Sequence, residues 1–360
     1  MGLDVFLFGA GASAPLGLPV SRGFLSDFEP SSLQLLNLLI RYTKAKTLEN
    51  LDIEEVFSLL QEAIESENSL IFAIFEKNSG WFPKDGWKRI SERGITTSVN
   101  EEVKQILRQF FSEAKSLFFE IKRFILKTLS EFSPESAFNL YWSFFKDYPF
   151  KEKPLLIFTT NYDLVIEEAF LGKTLLLLKE WKAIGVDRIY TGFEPKDLGY
   201  VFDFDRAKLQ NPGTVAVIKL HGSINWRPHE GLILLGDKSV PDDPDVPFLI
   251  YPGYKGVPDR EPFLSLHLAF LDILTKARRL ISIGFAFRDL YINSIVHHAL
   301  SLNEKLKIHA VAPEFPEDSL FPKLREKFPK RVFHHQERVE LQDGEVKPNL
   351  WNLIRETESE

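Results

Sequence analysis

Four segments of the chain place polar or glycine residues directly after a short apolar run. They are Gly9-Ala10-Gly11-Ala12-Ser13, Thr160-Asn161-Tyr162-Asp163, His221-Gly222-Ser223 and Gly284-Phe285-Ala286-Phe287-Arg288-Asp289. Glycines in such a turn let the backbone approach a pyrophosphate, and a helix that follows would offer its unpaired N–H groups to the anion. Histidine has an unperturbed pKa of about 6.5, which suits proton transfer at neutral pH. These residue types predict a dinucleotide site with a titratable group.

The apolar runs before these segments predict the strands that position them. The predicted strands cover residues 3–8, 155–160, 215–220, 280–285 and 307–312. Helical stretches lie between them, notably 263–278, and strands that alternate with helices indicate a parallel, doubly wound sheet. In an open parallel sheet, ligands bind outside the carboxyl ends of the strands. The four segments are therefore expected to meet in one crevice.

Between the first two predicted strands the apolar residues recur at helical spacing. This pattern covers 31–75 and 101–132, and a segment rich in glycine and proline at 78–98 separates the two blocks. Residues 182–213 and 236–262 are predicted to be loop-rich. The predicted organisation is a Rossmann-like domain from 1–25 and 151–335, a mostly helical insertion at 26–150 and a C-terminal tail at 336–360.

The composition is that of a globular protein and limits the chemistry. The 360 residues include 44 basic and 51 acidic side chains, a formal charge of −7, which does not favour direct binding of nucleic acid. Cysteine is absent and the eight histidines show no paired-ligand spacing, so no metal site is expected. The sequence shows no signal peptide and no membrane-spanning run, which predicts a cytoplasmic protein that does not associate with membranes.

In order and position, the segments resemble the motifs of the sirtuin superfamily. The corresponding family motifs are GAGxS for Gly9–Ser13, GIPDFR for Gly17-Leu18-Pro19 with Arg22, TQNxD for Thr160–Asp163, the catalytic HG pair for His221-Gly222, and a glycine-containing adenosine-ribose strand end for Gly284–Phe287. The resemblance covers roughly 1–25 and 154–312. It implies a Rossmann-like α/β fold that binds NAD.

Departures from the sirtuin deacetylases indicate a particular branch. Those enzymes carry a four-cysteine zinc module after the HG pair, which a chain without cysteine cannot form. Ser21 and Thr160 replace the Phe and the Gln of two family motifs. The strings FTTNYD, LHGS and IGFAFRD are closer to the zinc-less branch, whose members hydrolyse NAD in prokaryotic anti-phage systems. The resemblance implies NAD as substrate, no metal, a homo-oligomer, and a partner such as a HerA-type ATPase or an Argonaute-type sensor.

The resemblance also implies roles for individual residues. His221 would be the general base on the nicotinamide ribose, and Asn161 would contact the ribose hydroxyls or orient the attacking water. The implied NAD-binding residues are Gly9, Ala10, Gly11, Ser13, Pro19, Arg22, Thr160, Asp163, Gly284, Phe285 and Asp289.

Structural roles remain open for several of these residues. Asn161, Asp163 and Ser13 are all good helix N-caps. Asp289 could cap the helix that follows it, or pair with Arg288 to shape the adenosine pocket. Asn225 and Trp226 could wall the pocket, although a Trp beside a strand is more often a core residue.

The favoured activity is hydrolysis of NAD to nicotinamide and ADP-ribose, as an anti-phage effector gated by oligomerisation or a partner. Two alternatives stay open. One is an NAD-dependent protein deacylase, and the other is a non-catalytic regulatory subunit that binds NAD or ADP-ribose.

Overall fold

In the computed structural model, a sheet of seven parallel strands forms the centre of the fold. The residues described are 2–43, 47, 51–67, 98–171, 175–237, 239, 241–251, 260–342 and 345–359. The strands of the central sheet are β1 Asp4–Phe8, β2 Leu155–Thr159, β3 Arg188–Tyr190, β6 Thr214–Lys219, β9 Arg279–Ile283, β10 Lys307–Val311 and β11 Val332–His335. All five predicted strands are present, and their ends lie within two residues of the predicted ends.

The strand order, β11-β10-β9-β1-β2-β6-β3, places β1 at the centre of the sheet. Every neighbouring pair is parallel. From β1 the chain proceeds to β2 and β6 on one side, whereas β9, β10 and β11 extend the sheet on the other side. The order therefore reverses between β1 and β9, and such a switch point is where open α/β sheets bind ligands.

Each face of the sheet packs against its own core, and β1 shows why. Val5 and Leu7 lie in one hydrophobic cluster, while Phe6 and Phe8 lie in the other. Side chains alternate between the two faces of a strand, so a fully apolar strand requires cover on both. Helices supply that cover on both faces, which confirms the predicted doubly wound, Rossmann-like α/β fold.

The described helices flank the sheet or precede β2. Their bounds are α1 Leu33–Tyr42, α2 Ile53–Glu67, α3 Ser98–Ser130, α4 Pro134–Phe145, α5 Val165–Leu171, α6 Leu175–Ala183, α7 Phe263–Leu274, α8 Leu290–Leu302, α9 Phe321–Lys327 and α10 Leu350–Ser359. Helices α7 and α8 contribute to the core that contains Val5, and α4 and α5 to the core that contains Phe6. Among the described residues, no helix is long and apolar enough to cross a membrane.

Two compact units divide the chain. The first contains Met1–Val20, Leu126–Tyr251 and Lys255–Glu360, and hence the whole central sheet. The second is formed chiefly by Ser21–Ile125, with α1, α2 and most of α3. Within the second unit, Phe124 packs against Phe24 and Phe28, and Phe57 packs against Phe118. The predicted turn-rich segment 78–98 lies outside the described residues, except for Ser98.

A smaller antiparallel sheet was not predicted. It has the order β4-β5-β8-β7, formed by Phe193–Lys196, Gly199–Phe202, Leu232–Leu235 and Trp226–His229. The prediction of a loop-rich segment at 182–213 was therefore wrong, since β3, β4 and β5 lie within it. These strands are short and half exposed, so they lack the continuous apolar run that marks the central strands.

The residues after β1 also differ from the prediction of a helix. Ala10–Ala12 and Ala14–Leu16 form two short 3-10 turns, and the first described α-helix begins only at Leu33. Pro15 has no N–H to continue a helical ladder, and Gly17 adopts a left-handed φ of 82° that ends the second turn.

The C-terminal segment predicted as a tail forms secondary structure. Strands β12 Glu340–Gln342 and β13 Glu345–Lys347 pair in antiparallel orientation, and α10 follows them in the chain. Val346, Leu350 and Ile354 are buried in the core that contains Phe6.

Candidate active site

The strand register brings Asn161 and His221 to neighbouring strand ends. Thr159 of β2 and Lys219 of β6 are the last paired residues of these strands. Asn161 and His221 each lie two residues beyond that last pair. The backbone N–H of Leu220 donates to the carbonyl of Thr159 (2.8 Å) and extends this pairing past the strands. The two side chains that the sequence analysis favoured for catalysis therefore occupy equivalent positions at the carboxyl edge of the sheet.

The amide group of Asn161 is held by two hydrogen bonds. Its Nδ2 donates to the carbonyl of Gly9 (3.1 Å) and to Oγ of Ser13 (3.2 Å), and the residue is only 7 % exposed. Both amide hydrogens are therefore used within the protein. Oδ1 is the atom of this side chain that can accept a hydrogen bond from a hydroxyl group or a water.

Ser13 connects Asn161 to Asp163. Its hydroxyl accepts from Asn161 and donates to Oδ2 of Asp163 (3.1 Å), while Oδ1 of Asp163 accepts from the backbone N–H of Val165 (3.0 Å). Three residues were considered as helix N-caps. Of these, Asp163 accepts a backbone hydrogen bond from the first turn of α5, whereas the side chains of Ser13 and Asn161 bond to each other. Burial raises the pKa of the Asp163 carboxyl, and the charge of Lys219 and these hydrogen bonds oppose that rise.

Behind Asp163 lies a buried ion pair that sequence reasoning missed. Lys219 is 3 % exposed, and its Nζ donates to the carbonyl of Asp163 and to Oε1 of Glu167 (3.0 Å). Burial raises the pKa of Glu167, and Lys219 counteracts this. A lysine at the end of an otherwise apolar strand was the signal in the sequence, because a buried ammonium requires a partner.

His221 is buried at the end of β6 and contacts a carboxylate. Its Nε2 lies 3.1 Å from Oδ2 of Asp289, and the side chains are 3 % and 6 % exposed. Tyr162 and His267 flank the imidazole, with ring centroids 6.4 and 6.2 Å away. His267, on α7, was another residue that sequence reasoning missed, since a lone histidine on an apolar helix face carries no motif.

The turn after His221 is closed by a segment from later in the chain. Gly222 has a φ of 83° and forms a bridge with Leu249, and a Cβ at Gly222 would lie 2.1 Å from the carbonyl oxygen of Phe248. The N–H of Ile250 donates to the carbonyl of His221 (2.9 Å). Position 222 therefore requires glycine for its backbone conformation and for this close approach.

The glycines of the first and fourth segments pack against each other at the switch point. The N–H of Gly9 donates to the carbonyl of Ile283, and that of Gly11 to the carbonyl of Gly284, both at 3.0 Å. A Cβ on Gly284 would lie 2.3 Å from the backbone of Gly11. Gly9 and Gly11 therefore use their N–H groups to join the end of β1 to the end of β9.

The other predicted NAD-binding residues are placed as follows. Thr160 is half-buried and its N–H donates to the carbonyl of Phe8 (3.0 Å). Phe285 is buried in the core, where its ring packs against Phe287. Ala10 is exposed and Pro19 is half-buried in the first unit, whereas Arg22 is exposed in the second unit.

Near His221, Trp226 and Asn225 have different environments. Trp226 is 2 % exposed and packs against Phe193, Phe202 and Phe263, so it is a core residue. Asn225 is buried too, and its Oδ1 has no hydrogen-bond partner within the described part of the chain. In the same part of the chain, no group of three or more His, Asp or Glu is arranged to hold a metal ion.

A family profile described as the SIR2-like domain matches residues 155–338, just over half of the chain. This match contains β2, β6 and β9 with the segments that follow them. The chain belongs to the SIR2-like family.

Solved structures of Sir2 proteins are similar to the chain at low identity. A mutant Sir2 homologue in complex with ADP-ribose shares 13% identity over 99% of this chain and 92% of that chain, with a TM-score of 0.43. A Sir2 homologue in complex with NAD shares 13% identity over 99% and 89%, with a TM-score of 0.41. A further mutant, in complex with 2'-O-acetyl ADP-ribose, shares 13% identity over 93% and 86%, with a TM-score of 0.42. No curated protein sequence matches the chain.

Proposed function

We propose that this protein hydrolyses NAD to nicotinamide and ADP-ribose at the carboxyl edge of the sheet, beside the β1–β9 switch point. The observation that carries the proposal is the equivalent placement of Asn161 and His221, each two residues beyond a paired strand end. One side chain presents a fixed amide oxygen, and the other is a buried imidazole held by a carboxylate. An acceptor and a base at one strand edge are what activation of a water molecule requires.

In the proposed reaction, the bond between C1′ of the nicotinamide ribose and the pyridinium nitrogen breaks. Its electron pair returns to the ring, which leaves as neutral nicotinamide. The oxygen of a water molecule bonds to C1′, and the water loses one proton. Oδ1 of Asn161 accepts a hydrogen bond that orients this water, and His221 accepts the proton through its unprotonated ring nitrogen. The transition state resembles an oxocarbenium ion, with positive charge developing at C1′. A buried site whose polar groups are preorganised stabilises this charge.

A specific observation favours water over a peptide substrate. Extended peptides commonly bind by adding a strand to an exposed backbone edge. At the His221 turn, Leu249 and Ile250 already occupy that edge, through the bridge to Gly222 and the bond to the His221 carbonyl. Deacylation of acyl-lysine remains the alternative, and a non-catalytic subunit that binds NAD or ADP-ribose is the other.

Uncontrolled NAD hydrolysis would harm the host cell, so the proposal includes a gate. We infer that the protein is an effector of anti-phage defence whose activity depends on oligomerisation or on a partner, such as a HerA-type ATPase or an Argonaute-type sensor. The support for this role is the closeness of FTTNYD, LHGS and IGFAFRD to the zinc-less sirtuin-like branch.

Product analysis tests the proposed reaction. The purified chain, alone and together with the products of its genomic neighbours, is incubated with NAD, with and without an acetyl-lysine peptide, and the products are separated by chromatography. Hydrolysis predicts nicotinamide and ADP-ribose in equal amounts, whether or not the peptide is present. Products that depend on the peptide and include O-acetyl-ADP-ribose would establish deacylation instead, and a stable NAD complex without turnover would favour the binding subunit.

In cells, the gated role predicts a conditional loss of NAD. Cellular NAD is measured in bacteria that express the chain with its genomic neighbours, before and after phage infection. The proposal expects NAD to fall only after infection, and to remain constant when His221→Ala is expressed. A fall in NAD that is the same in uninfected cells would contradict the gate.

A further inference from the structure

The contact between His221 and Asp289 joins elements that are not neighbours in the sheet. His221 follows β6 and Asp289 follows β9, and β1 and β2 lie between these strands. The side chains nevertheless meet, with 3.1 Å between Nε2 and Oδ2. The pair thus connects the end of β6 to the end of β9, across the ends of β1 and β2, which are followed by Gly9 and Asn161.

The backbone that presents Asp289 is held in an uncommon conformation. Phe287 has a φ of 54°, which a bulky residue rarely adopts, and its side chain is fully buried. The Phe287 carbonyl accepts hydrogen bonds from Nδ2 of Asn293 (2.8 Å) and from the N–H of Leu320 (2.9 Å). These bonds fix the turn two residues before Asp289. Such strain persists only where surrounding contacts determine it, and it is found mostly at functional sites.

The two oxygens of Asp289 have separate partners. Oδ1 accepts from the backbone N–H of Ile292 (2.9 Å) and caps α8, whereas Oδ2 faces His221. The N-terminus of α8 favours a negative charge at this position because the helix dipole is positive there. An ionised carboxylate can only accept hydrogen bonds, so the ring nitrogen that faces it must carry the hydrogen.

We propose that Asp289 is the positioning residue of His221: its carboxylate orients the imidazole and keeps the hydrogen of the neutral ring on Nε2, and thereby prepares His221 for its part in NAD hydrolysis. This inference rests on the proposed function for its last step only. The carboxylate also stabilises the imidazolium that forms when His221 takes up a proton, as acid–histidine pairs do in other hydrolases.

Two substitutions separate this role from helix capping. Asp289→Asn and Asp289→Ser both retain a side-chain oxygen that can cap α8, because Asn and Ser are good N-cap residues. Both remove the carboxylate from His221. In Asp289→Asn, the amide NH2 faces Nε2 as a donor, so the neutral ring is expected to move its hydrogen to Nδ1. Asp205→Asn is the matched control, since Asp205 also accepts from a backbone N–H, that of Ala207.

The direct readout is the protonation of the two ring nitrogens of His221, measured by ¹⁵N NMR on histidine-labelled protein without NAD. The signals are assigned by their absence in His221→Gln. Wild type and Asp205→Asn are expected to show a protonated Nε2 and an unprotonated Nδ1 at a pH where the ring is neutral. Asp289→Asn is expected to reverse this pattern and Asp289→Ser to give a mixture. The same pattern in all four proteins would overturn the inference.

Kinetics supply the second readout. If Asp289 acts through His221, both substitutions lower kcat for NAD hydrolysis by about tenfold or more, with a smaller change in KM. A change in KM alone would contradict a role in positioning the base. If the wild type has no hydrolytic activity, either alone or with the products of its genomic neighbours, the proposed function fails, but the nitrogen signals still decide whether Asp289 sets the tautomer of His221.

Discussion

The side-chain amide of Asn161 donates a hydrogen bond to the backbone carbonyl of Gly9, 152 positions earlier in the chain, at 3.1 Å. This bond joins the end of β2 to the glycine turn after β1, and a second bond from the same amide reaches Ser13. The orientation of Asn161 is therefore fixed before any ligand binds, and Oδ1 is the atom that remains to accept.

Asn161→Asp tests this orientation. The substitution places an oxygen where Nδ2 now donates, so a buried acceptor would face the Gly9 carbonyl. We expect the free energy of unfolding to fall by about 1–3 kcal/mol, the cost of unsatisfied buried polar groups, and NAD hydrolysis to be lost. Thermal unfolding and nicotinamide release measure the two effects. Asn211→Asp, at an exposed position before β6, is the control and should change neither; equal effects at both positions would contradict the account.

Ser13→Ala removes the link between Asn161 and Asp163. Oδ2 of Asp163 then loses its hydrogen bond from the Ser13 hydroxyl. A loss of about 1–3 kcal/mol of stability is expected, with a lower kcat because Asn161 also loses a partner. Chemical denaturation and steady-state kinetics measure these changes. Ser301→Ala, at an exposed hydroxyl on α8 that bonds only within its helix, is the matched control. Unchanged stability and kcat in Ser13→Ala would show that the link is dispensable.

Gly284→Ala tests the close packing at the switch point. The φ of Gly284 is 61° and an added Cβ would meet Gly11 and Ala12 at 2.3 and 2.4 Å, so a loss of about 3 kcal/mol or more is expected. Gly199→Ala separates strain from contact, because Gly199 has a φ of 104° with nothing within 4 Å of the added Cβ. That control should lose only about 1 kcal/mol. Equal losses of stability in both variants would contradict the packing argument.

His309 gives the fold a predicted dependence on pH. Burial, with the nearby His335, lowers the pKa of His309 to about 3, and Nδ1 of His309 lies 3.1 Å from Nε2 of His335. Below about pH 6.5 the unfolded chain binds a proton at this position and the folded protein does not, so stability falls as the pH decreases. Between pH 7 and 5 the loss due to this residue is about 2 kcal/mol.

The measurement is the free energy of unfolding of the wild type and of His309→Gln from pH 7 to pH 5. The glutamine variant does not titrate, so its stability should decrease less steeply than that of the wild type. His298→Gln, at an exposed position, should retain the wild-type slope. Parallel slopes for the wild type and His309→Gln would contradict the assignment.

The sequence was sufficient to predict five of the seven strands of the central sheet and the meeting of the segments that follow four of them, whereas β3 and β11 were not predicted. Buried parallel strands such as β1 and β2 are continuous apolar runs, and the edge at which parallel strands end follows from their direction alone. The small antiparallel sheet was not predictable in this way, because strands such as Phe193–Lys196 and Gly199–Phe202 contain Pro or Gly and are half exposed.

Within the site, residue types were predictable but their partners were not. Asp163 and Asp289 were each recognised as possible helix caps from their positions, and both accept from the first turn of a helix. The contact of Asp289 with His221 depends on how β6, β9 and α8 are placed in three dimensions, and no local pattern records that. The glycines illustrate the same limit, since the bonds of Gly9 and Gly11 to the end of β9 depend on the strand order, which their spacing in sequence does not record.

The most direct test of the account is nicotinamide release from NAD by the purified chain over a series of protein concentrations, alone and with the products of its genomic neighbours. The wild type is compared with His221→Ala and Asn161→Ala, and with the exposed controls His298→Ala and Asn211→Ala. The account predicts release by the wild type and both controls, with a steeper than proportional increase if oligomerisation is the gate, and no release by the two site variants. Undiminished release by either His221→Ala or Asn161→Ala would contradict it.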